Sequence, residues 1–459
     1  MASSTATVSL PVLSDLKLDE LEDDLRAKGV SVVVGSVVDL AGVARAKAVP
    51  LRRLGSFARS GMGASPTWNV FCIDDAIAFT ERFTVVGDLR LRLDAAATRV
   101  VADGVAWAPA ELTGQDGGNH PVDTRSLLRR VTAGLTADGY DPLAGCEVEF
   151  ILFPEDGAAR ASAPWAAYGL ASVLDPSAAG FIRRLVEDAE HVGLPLEQVH
   201  AEYGRNQFEI SLAPADPVTA ADNVILARLL IGRAAAAVGL RASFSPLASP
   251  DANAGNGAHQ HISLAREGVP VLSGGDGPHG LRREGGAAIA GILRRLPDFL
   301  GFYAGSVLSG TRLEPGHWSG AHLCWGLENR EAAVRLCAAT AGNPHGASIE
   351  LKVADASANP YLALAALLWS AHEGIRRDLP LPAEVADNPA GLSPQLRVPT
   401  LSTTQPEVLD ALASSAAAAE FAGADIMEAL LAVRRHEVDS YGQASPSELA
   451  ERFRFTWSV

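Results

Sequence analysis

In the run Gly145-Cys-Glu147-Val-Glu149-Phe-Ile, two carboxylates stand two residues apart in an otherwise apolar stretch. In a strand, alternating side chains put Glu147 and Glu149 on one face. Two ionised carboxylates on a buried face are costly unless a cation compensates them. Alone, the pair reads equally well as a solvated strand face. It is not alone. His200-Ala-Glu202-Tyr-Gly-Arg-Asn-Gln-Phe-Glu209 adds two carboxylates around a Gly204 turn, and Ser348-Ile-Glu350-Leu-Lys352 adds one more. His259-Gln-His261-Ile-Ser263 places two imidazoles on one strand face. Carboxylates in the majority, with an imidazole, suit Mg²⁺ or Mn²⁺ rather than zinc. A cationic set complements them. Arg312 lies in a Gly/Pro-rich loop, and Glu328-Asn-Arg330-Glu-Ala-Ala-Val-Arg335 offers guanidinium forks of the kind that grip phosphate. Taken singly, Arg330 and Arg335 also read as surface arginines.

These residues need a scaffold. Asp19–Lys28 reads as a short amphipathic helix ended by Gly29, and Val30–Val38 as a β-branched strand running into an Asp39-Leu-Ala-Gly turn. Strand-like pieces follow at Val70–Ile73, Phe83–Leu91 and Thr98–Ala106. One helix among these strands suggests a small sheet domain over residues 15–112, after a mobile terminus at 1–14. The Gly/Asp/Asn/Pro-rich stretch Thr113–Pro121 marks a boundary. From 122 to 459 helices alternate with apolar strands: Arg125–Ala137 helical, Gly145–Phe153 a strand, Ala178–Val192 helical, and Glu197–His200 and Gln207–Leu212 strands. Leu226–Val238 is helical, a strand surrounds His259–Leu264, and the part after Pro360 is mostly helical, with Pro380–Pro399 a long loop. No GxxxxGK[ST] and no GxGxxG following a strand is present.

Composition narrows the class. The chain has 459 residues, 48% hydrophobic and 20% charged, which excludes a disordered chain. With 38 Lys and Arg against 54 Asp and Glu, the formal charge is −16. Such a field repels nucleic acid and anionic membrane, so an anionic ligand needs a local cationic pocket. Cys72, Cys146, Cys324 and Cys337 are scattered without paired spacing and read as reduced thiols. Met1–Leu18 lacks a cationic segment before an apolar one, and the longest apolar run, Leu362–Trp369, falls far short of a membrane span. The expectation is a soluble cytoplasmic protein.

The ordered series of these motifs resembles the glutamine synthetase family. The match runs through Glu147-x-Glu149, Glu202-x-Gly-x-x-x-x-Glu209, Gly255-Asn-Gly-Ala-His259-x-His261-x-Ser, Arg312-Leu-x-Pro-Gly, Asn329-Arg330-x-x-x-x-Arg335, Ile349-Glu350 and Asp355-x-x-x-Asn359-Pro-Tyr-Leu. Val37-Val-Asp39-Leu-Ala-Gly-Val resembles that family's amino-terminal strand and turn. The resemblance implies an α+β fold, with a β-grasp-like amino-terminal domain and a larger domain built on a curved antiparallel sheet with helices. It also implies a homo-oligomer of stacked rings, such as a dodecamer, with sites shared between subunits. Glu149, Glu202 and Glu209 would hold one divalent ion, and Glu147, His259 and Glu350 a second at the ATP end. Arg330 and Arg335 would grip the transferring phosphate, while Arg312 and the Gly255 backbone take glutamate. Asp39 would come from the adjacent subunit to help deprotonate the amine. Tyr168 matches a tyrosine of the amine pocket, and Glu197, His261 and Ser263 match positions near the nucleotide.

Several positions depart from the glutamine-forming pattern. The glutamate that would shield the intermediate is here Trp318, the arginines flanking Glu350 are Ser348 and Lys352, and the asparagine before Gly255 is Ala254. An indole accepts no proton but packs an alkyl chain. The implied function is an ATP-dependent ligase joining glutamate to an organic amine, of ethanolamine or polyamine type, through a γ-glutamyl phosphate. The alternatives are a glutamine synthetase using ammonium, a ligase for another acid, and a catalytically idle homologue.

Overall fold

The computed structural model describes residues 10, 13–155, 165–249, 254–343 and 346–459. Most of the expected mobile terminus, residues 1–9, 11 and 12, lies outside them.

Two sheets carry the architecture. The first contains β1 (Val32–Val38), β2 (Ala44–Pro50), β3 (Met62–Ala64), β4 (Leu89–Leu93), β5 (Arg99–Ala102) and β6 (Val105–Thr113). Its order is β2-β1-β6-β4-β3, with β5 on β6, and the β1–β6 pairing is parallel. The helix Leu54–Arg59 lies on this sheet through Phe57, and Gly35 of β1 makes that possible: a Cβ there would come within 2.5 Å of the ring.

The second sheet contains β7 (Tyr140–Pro154), β8 (Leu196–Ala201), β9 (Gln207–Ala215), β10 (Leu240–Ser243), β11 (Gln260–Arg266), β12 (Val269–Pro270), β13 (His322–Leu327), β14 (Ala332–Cys337) and β15 (Ser348–Leu351). The order is β13-β14-β15-β11-β7-β9-β8, with β10 on β7 and β12 on β11. Every pairing is antiparallel except β13–β14, where the expectation of an antiparallel sheet gives way to a parallel edge pair. Alternation along β7 buries Val148 and Phe150, and Phe150 joins Phe181, Phe208 and Phe244 in an aromatic cluster behind the sheet. The same alternation turns Glu147 and Glu149 to the opposite face.

Helices cover the apolar face, and their starts follow a common chemistry. Asp175-Pro, Asp216-Pro and Asn359-Pro open the helices Pro176–Val192, Pro217–Ala236 and Pro360–Arg376, each cap accepting from backbone N–H groups of the first turn. The two sheets are tied through Arg125, at the start of the helix Thr124–Ala137. Its guanidinium reaches Glu111 of β6 at 2.9 Å, Asp94 at 2.7 Å and Asp222 at 2.8 and 2.9 Å. The buried Asn359 donates to the carbonyls of Val38 and Asp39 at 2.9 and 3.2 Å, and Trp457 donates to Ala41 at 2.9 Å.

Four local expectations need correction. Thr98–Ala106 is not one strand: Asp103 and Gly104, with Gly104 at φ 73°, turn the chain from β5 into β6. Val70–Ile73 is the end of a 3₁₀ turn (Pro66–Val70) followed by a bridge from Phe71 to Ile77. The helix expected at Leu226 begins at Pro217, because Asp216 caps it upstream of the apolar run. Phe83–Leu91 becomes strand only from Leu89.

Candidate active site

On the concave side of the second sheet lies a cavity of about 840 Å³. Glu147, Glu149, Tyr168, Glu202, Glu209, Gly255, His259, Arg312, Trp318, Arg330, Arg335, Glu350 and Lys352 line it. Strand register explains the convergence. Glu149 pairs with Glu209 across β7–β9, His200 with Glu209 across β8–β9, His261 with Glu350 across β11–β15, and Arg335 with Glu350 across β14–β15.

His259 sits at the centre. Its Nδ1 lies 2.9 Å from Glu147, 3.6 Å from Glu350 and 3.9 Å from Glu209, and its Nε2 lies 3.5 Å from Glu149. His200 stands between Glu202 at 2.9 Å and Glu209 at 3.6 Å. The Tyr168 hydroxyl donates to Glu202 at 3.0 Å, and its ring stacks on His200 with centroids 5.6 Å apart. Both oxygens of Glu350 already accept from cations, Lys352 Nζ at 2.9 Å and Arg335 at 3.1 Å.

The charges are unevenly compensated. Burial together with the charges of Glu147, Glu149 and Glu202 pushes the Glu209 carboxyl well above the usual range. Burial works the same way on Glu147, but hydrogen bonds from His259 and His261 outweigh it and hold that carboxyl low. Against burial, Lys352, His261 and His259 bring Glu350 down to about 2. For His261, burial is overcome by its contacts to Cys337 and Glu147, which raise it to about 10. Three interlocking sets have donor atoms within 4.8 Å of one another: Glu147–Glu209–His259, Glu147–His261–Glu350 and His200–Glu202–Glu209. The carboxylates thus merge into one cluster.

The polar wall is rigid. Arg312 is buried and donates to the carbonyls of Val353 at 3.1 Å and Lys352 at 2.9 Å, with His259 Nε2 at 3.2 Å. Gly255 packs against it, and a Cβ at 255 would lie 2.5 Å from the Pro246 carbonyl. The aromatic wall is more open: Trp318 is 48% exposed, with the Arg330 guanidinium 5.7 Å from its ring centre.

Four expected residues lie apart from the cavity lining: Asp39, Glu197, Ser263 and His261, whose Nε2 nonetheless lies 3.5 Å from Glu147. Asp39 is buried in its own turn, accepting from Ala41 and Val43 at 2.9 Å each and from Arg45 at 2.8 Å. Burial raises its carboxyl to about 6 in spite of Arg45. Glu197 is exposed on β8 beside Gln198, which does line the cavity, and Ser263 is half-buried on β11, two residues beyond His261. Two contributors were missed from sequence. His200 needs the β8–β9 register to be placed beside Glu209. Buried Gln207 donates to Glu149 at 3.2 Å, Gly255 at 3.1 Å and Asn256 at 3.0 Å, and an amide in an apolar strand was the only available signal.

Comparison with known proteins gives the geometry its context. The family model for the glutamine synthetase catalytic domain matches residues 121–452. A gamma-glutamylpolyamine synthetase of Streptomyces coelicolor is 36% identical over 451 residues, covering 95% of this chain and 96% of the relative. A glutamine synthetase of Pyrococcus abyssi is 32% identical over 335 residues, covering 71% and 74%. Among solved structures, a novel glutamine synthase homologue aligns with a TM-score of 0.83 at 31% identity, covering 93% of this chain and 99% of that one. Enzymes of this kind use ATP and divalent metal ions, join glutamate to ammonia or an amine, and are often oligomeric. Among the described residues, no helix is long and apolar enough to cross a membrane. The chain belongs to the glutamine synthetase family and is an ATP-dependent carbon–nitrogen ligase.

Proposed function

We propose that this enzyme joins the γ-carboxylate of glutamate to an organic amine through a γ-glutamyl phosphate. The observation that carries the acceptor is Trp318. Its half-exposed indole lines the cavity shared with Glu202 and Tyr168, so the space offered to the nucleophile has an apolar side. Ammonium is strongly hydrated and needs acceptor oxygens, whereas an alkylamine gains roughly 0.8 kcal/mol per buried CH₂.

The donor set fits divalent cations. Its carboxylates crowd one another enough to raise Glu209, a strain that added positive charge relieves. We assign Glu149, Glu202 and Glu209 to one Mg²⁺ or Mn²⁺, and Glu147, His259 and Glu350 to a second. Each Glu350 oxygen keeps a further lone pair beside its bond to Lys352 or Arg335. Such ions, when bound, neutralise charge on phosphoryl oxygens. His261, Ser263 and Glu197 would then border the nucleotide.

The protein's own groups supply the rest. Carboxylate oxygen is a poor leaving group, so the glutamate side chain first takes the terminal phosphoryl of ATP, releasing ADP. Arg330 and Arg335 stabilise the charge in transfer. Arg312, fixed by its carbonyl partners, and Gly255 orient glutamate, while Lys352 holds Glu350 in place. The unprotonated amine attacks the acyl phosphate, phosphate leaves, and the proton passes to a carboxylate, Glu202 or an Asp39 donated by a neighbouring copy. We further assign residues 15–112 to a β-grasp-like domain and 122–459 to the catalytic one.

The test is an acceptor panel. Protein with ATP, Mg²⁺ and glutamate is offered ammonium, ethanolamine and diamines, and products are read by mass spectrometry. An organic amide formed with higher kcat/KM than glutamine supports the reading. Glutamine as the most efficiently formed product overturns it.

A further inference from the structure

Trp318 is half-exposed, and its backbone is strained. It has φ 54°, a left-handed backbone that side chains other than glycine adopt reluctantly, and Gly316 two residues earlier has φ 87°. Something must hold this turn, and Glu331 reaches it from another part of the fold. One carboxylate oxygen accepts from the Gly316 N–H at 3.1 Å, and the other from the Trp318 N–H at 3.2 Å. Glu331 is only 7% exposed and forms no ion pair among the described residues, so these two backbone bonds are what its buried charge does. Its own segment is anchored in turn: the Glu331 N–H donates to Asn329 Oδ1 at 3.1 Å, and the Asn329 amide donates to the carbonyls of Val385 and Asp387 at 2.8 and 3.1 Å. The preceding residue, Arg330, lies over the Trp318 ring.

We propose that Glu331 is the positioning residue of the acceptor site, a two-pronged carboxylate clamp that fixes the Gly316–Trp318 turn and thereby aims the indole into the cavity. This rests on the reading that Trp318 borders the acceptor. Glu331 touches no substrate in this scheme and acts through Trp318 alone.

The measurement uses the full-length enzyme and whichever acceptor wild type turns over best, so that the identity of the acceptor and the role of Glu331 are judged separately. Glu331→Gln keeps the shape but replaces one accepting oxygen with an amide N–H₂ that cannot accept. Losing one charge-assisted bond is expected to raise the acceptor KM about tenfold, with the KM of glutamate and of ATP within about twofold of wild type. In a Trp318→Ala background the same change is expected to add less than about twofold, because the residue it acts through is gone. Hydrogen exchange at the Gly316 and Trp318 amides is expected to quicken in Glu331→Gln. Equal changes in all three KM values, an undiminished effect in the Trp318→Ala background, or unchanged exchange at those amides would each overturn the clamp. An ammonium-preferring wild type would overturn the amine reading while leaving these comparisons in force.

Discussion

Glu149 and Glu209 stand directly opposite each other across the β7–β9 ladder, two acids where facing like charges weaken a sheet. Glu149 is partly compensated by the Gly257 N–H at 2.7 Å, whereas Glu209 bears the repulsion of three neighbouring carboxylates. The pair makes sense as a site that sacrifices stability for charge.

That trade is measurable. In chelator, Glu209→Gln is expected to stabilise the fold by about 1 kcal/mol, because it removes a carboxyl forced to share space with like charges. Turnover is expected to vanish, and Mg²⁺ should raise the unfolding midpoint of wild type more than that of the variant. Thermal unfolding with and without Mg²⁺ checks this; a variant destabilised in chelator and still active would refute it.

Trp318→Glu is expected to narrow the preference for an organic amine over ammonium. The substitution restores an acceptor oxygen beside Glu202 and removes an apolar surface, worth roughly 1–3 kcal/mol of discrimination. Competition between ammonium and the best amine, followed by mass spectrometry, reads the ratio directly. An unchanged ratio would remove Trp318 from acceptor selection.

Much of this site was legible because strands expose their chemistry in period two. Glu147 and Glu149 on β7 and the carboxylate of Glu350 on β15 could be assigned to a face from alternation alone. What alternation cannot supply is register, and register is what brings His200 beside Glu209 and Arg335 beside Glu350. Glu331 was invisible for a related reason: its partners are backbone N–H groups in a loop, which leave no mark in the spacing of side-chain types. The fold was misread where turn chemistry outweighed strand propensity, as at Asp103-Gly104, and where a cap lay upstream of the apolar periodicity, as at Asp216.

Asp39 lies outside the cavity of its own chain, so subunit mixing is informative. Asp39→Asn and Glu202→Ala are each expected to be inactive alone. Dissociated, mixed and reassembled, they should regain part of the activity, since some sites would then pair an intact Asp39 with an intact Glu202. Steady-state assays before and after mixing decide; no recovery in assembled mixed oligomers would show that Asp39 serves no neighbour.

The helix-capping Asp123 offers a pH test remote from the site. It accepts from Ser126 N at 2.7 Å and Leu112 N at 2.8 Å, yet burial, helped by the charge of Glu111, pushes its carboxyl up to about 7. The folded state therefore holds a proton that the unfolded chain releases near pH 4, so this group's contribution to stability falls as pH rises toward 7. The stability of wild type relative to Asp123→Asn is expected to drop by roughly 2 kcal/mol between pH 5 and 8. Urea unfolding across that range measures it, and a constant difference would contradict the assignment.

Asn359 gives the assembly a mechanical dimension. Its side chain grips the carbonyls of Val38 and Asp39, while its backbone continues the segment that carries Glu350 and Lys352 along the cavity. The turn bearing Asp39 is thus bolted to the floor of its own chain's site, with Trp457 as a second bolt at Ala41. In any ring that inserts Asp39 into a neighbour's cavity, a shift of that floor on filling one site moves a reacting group in the next. Turnover would then pass around the ring as a correlated sequence, with each subunit setting the readiness of the one beside it.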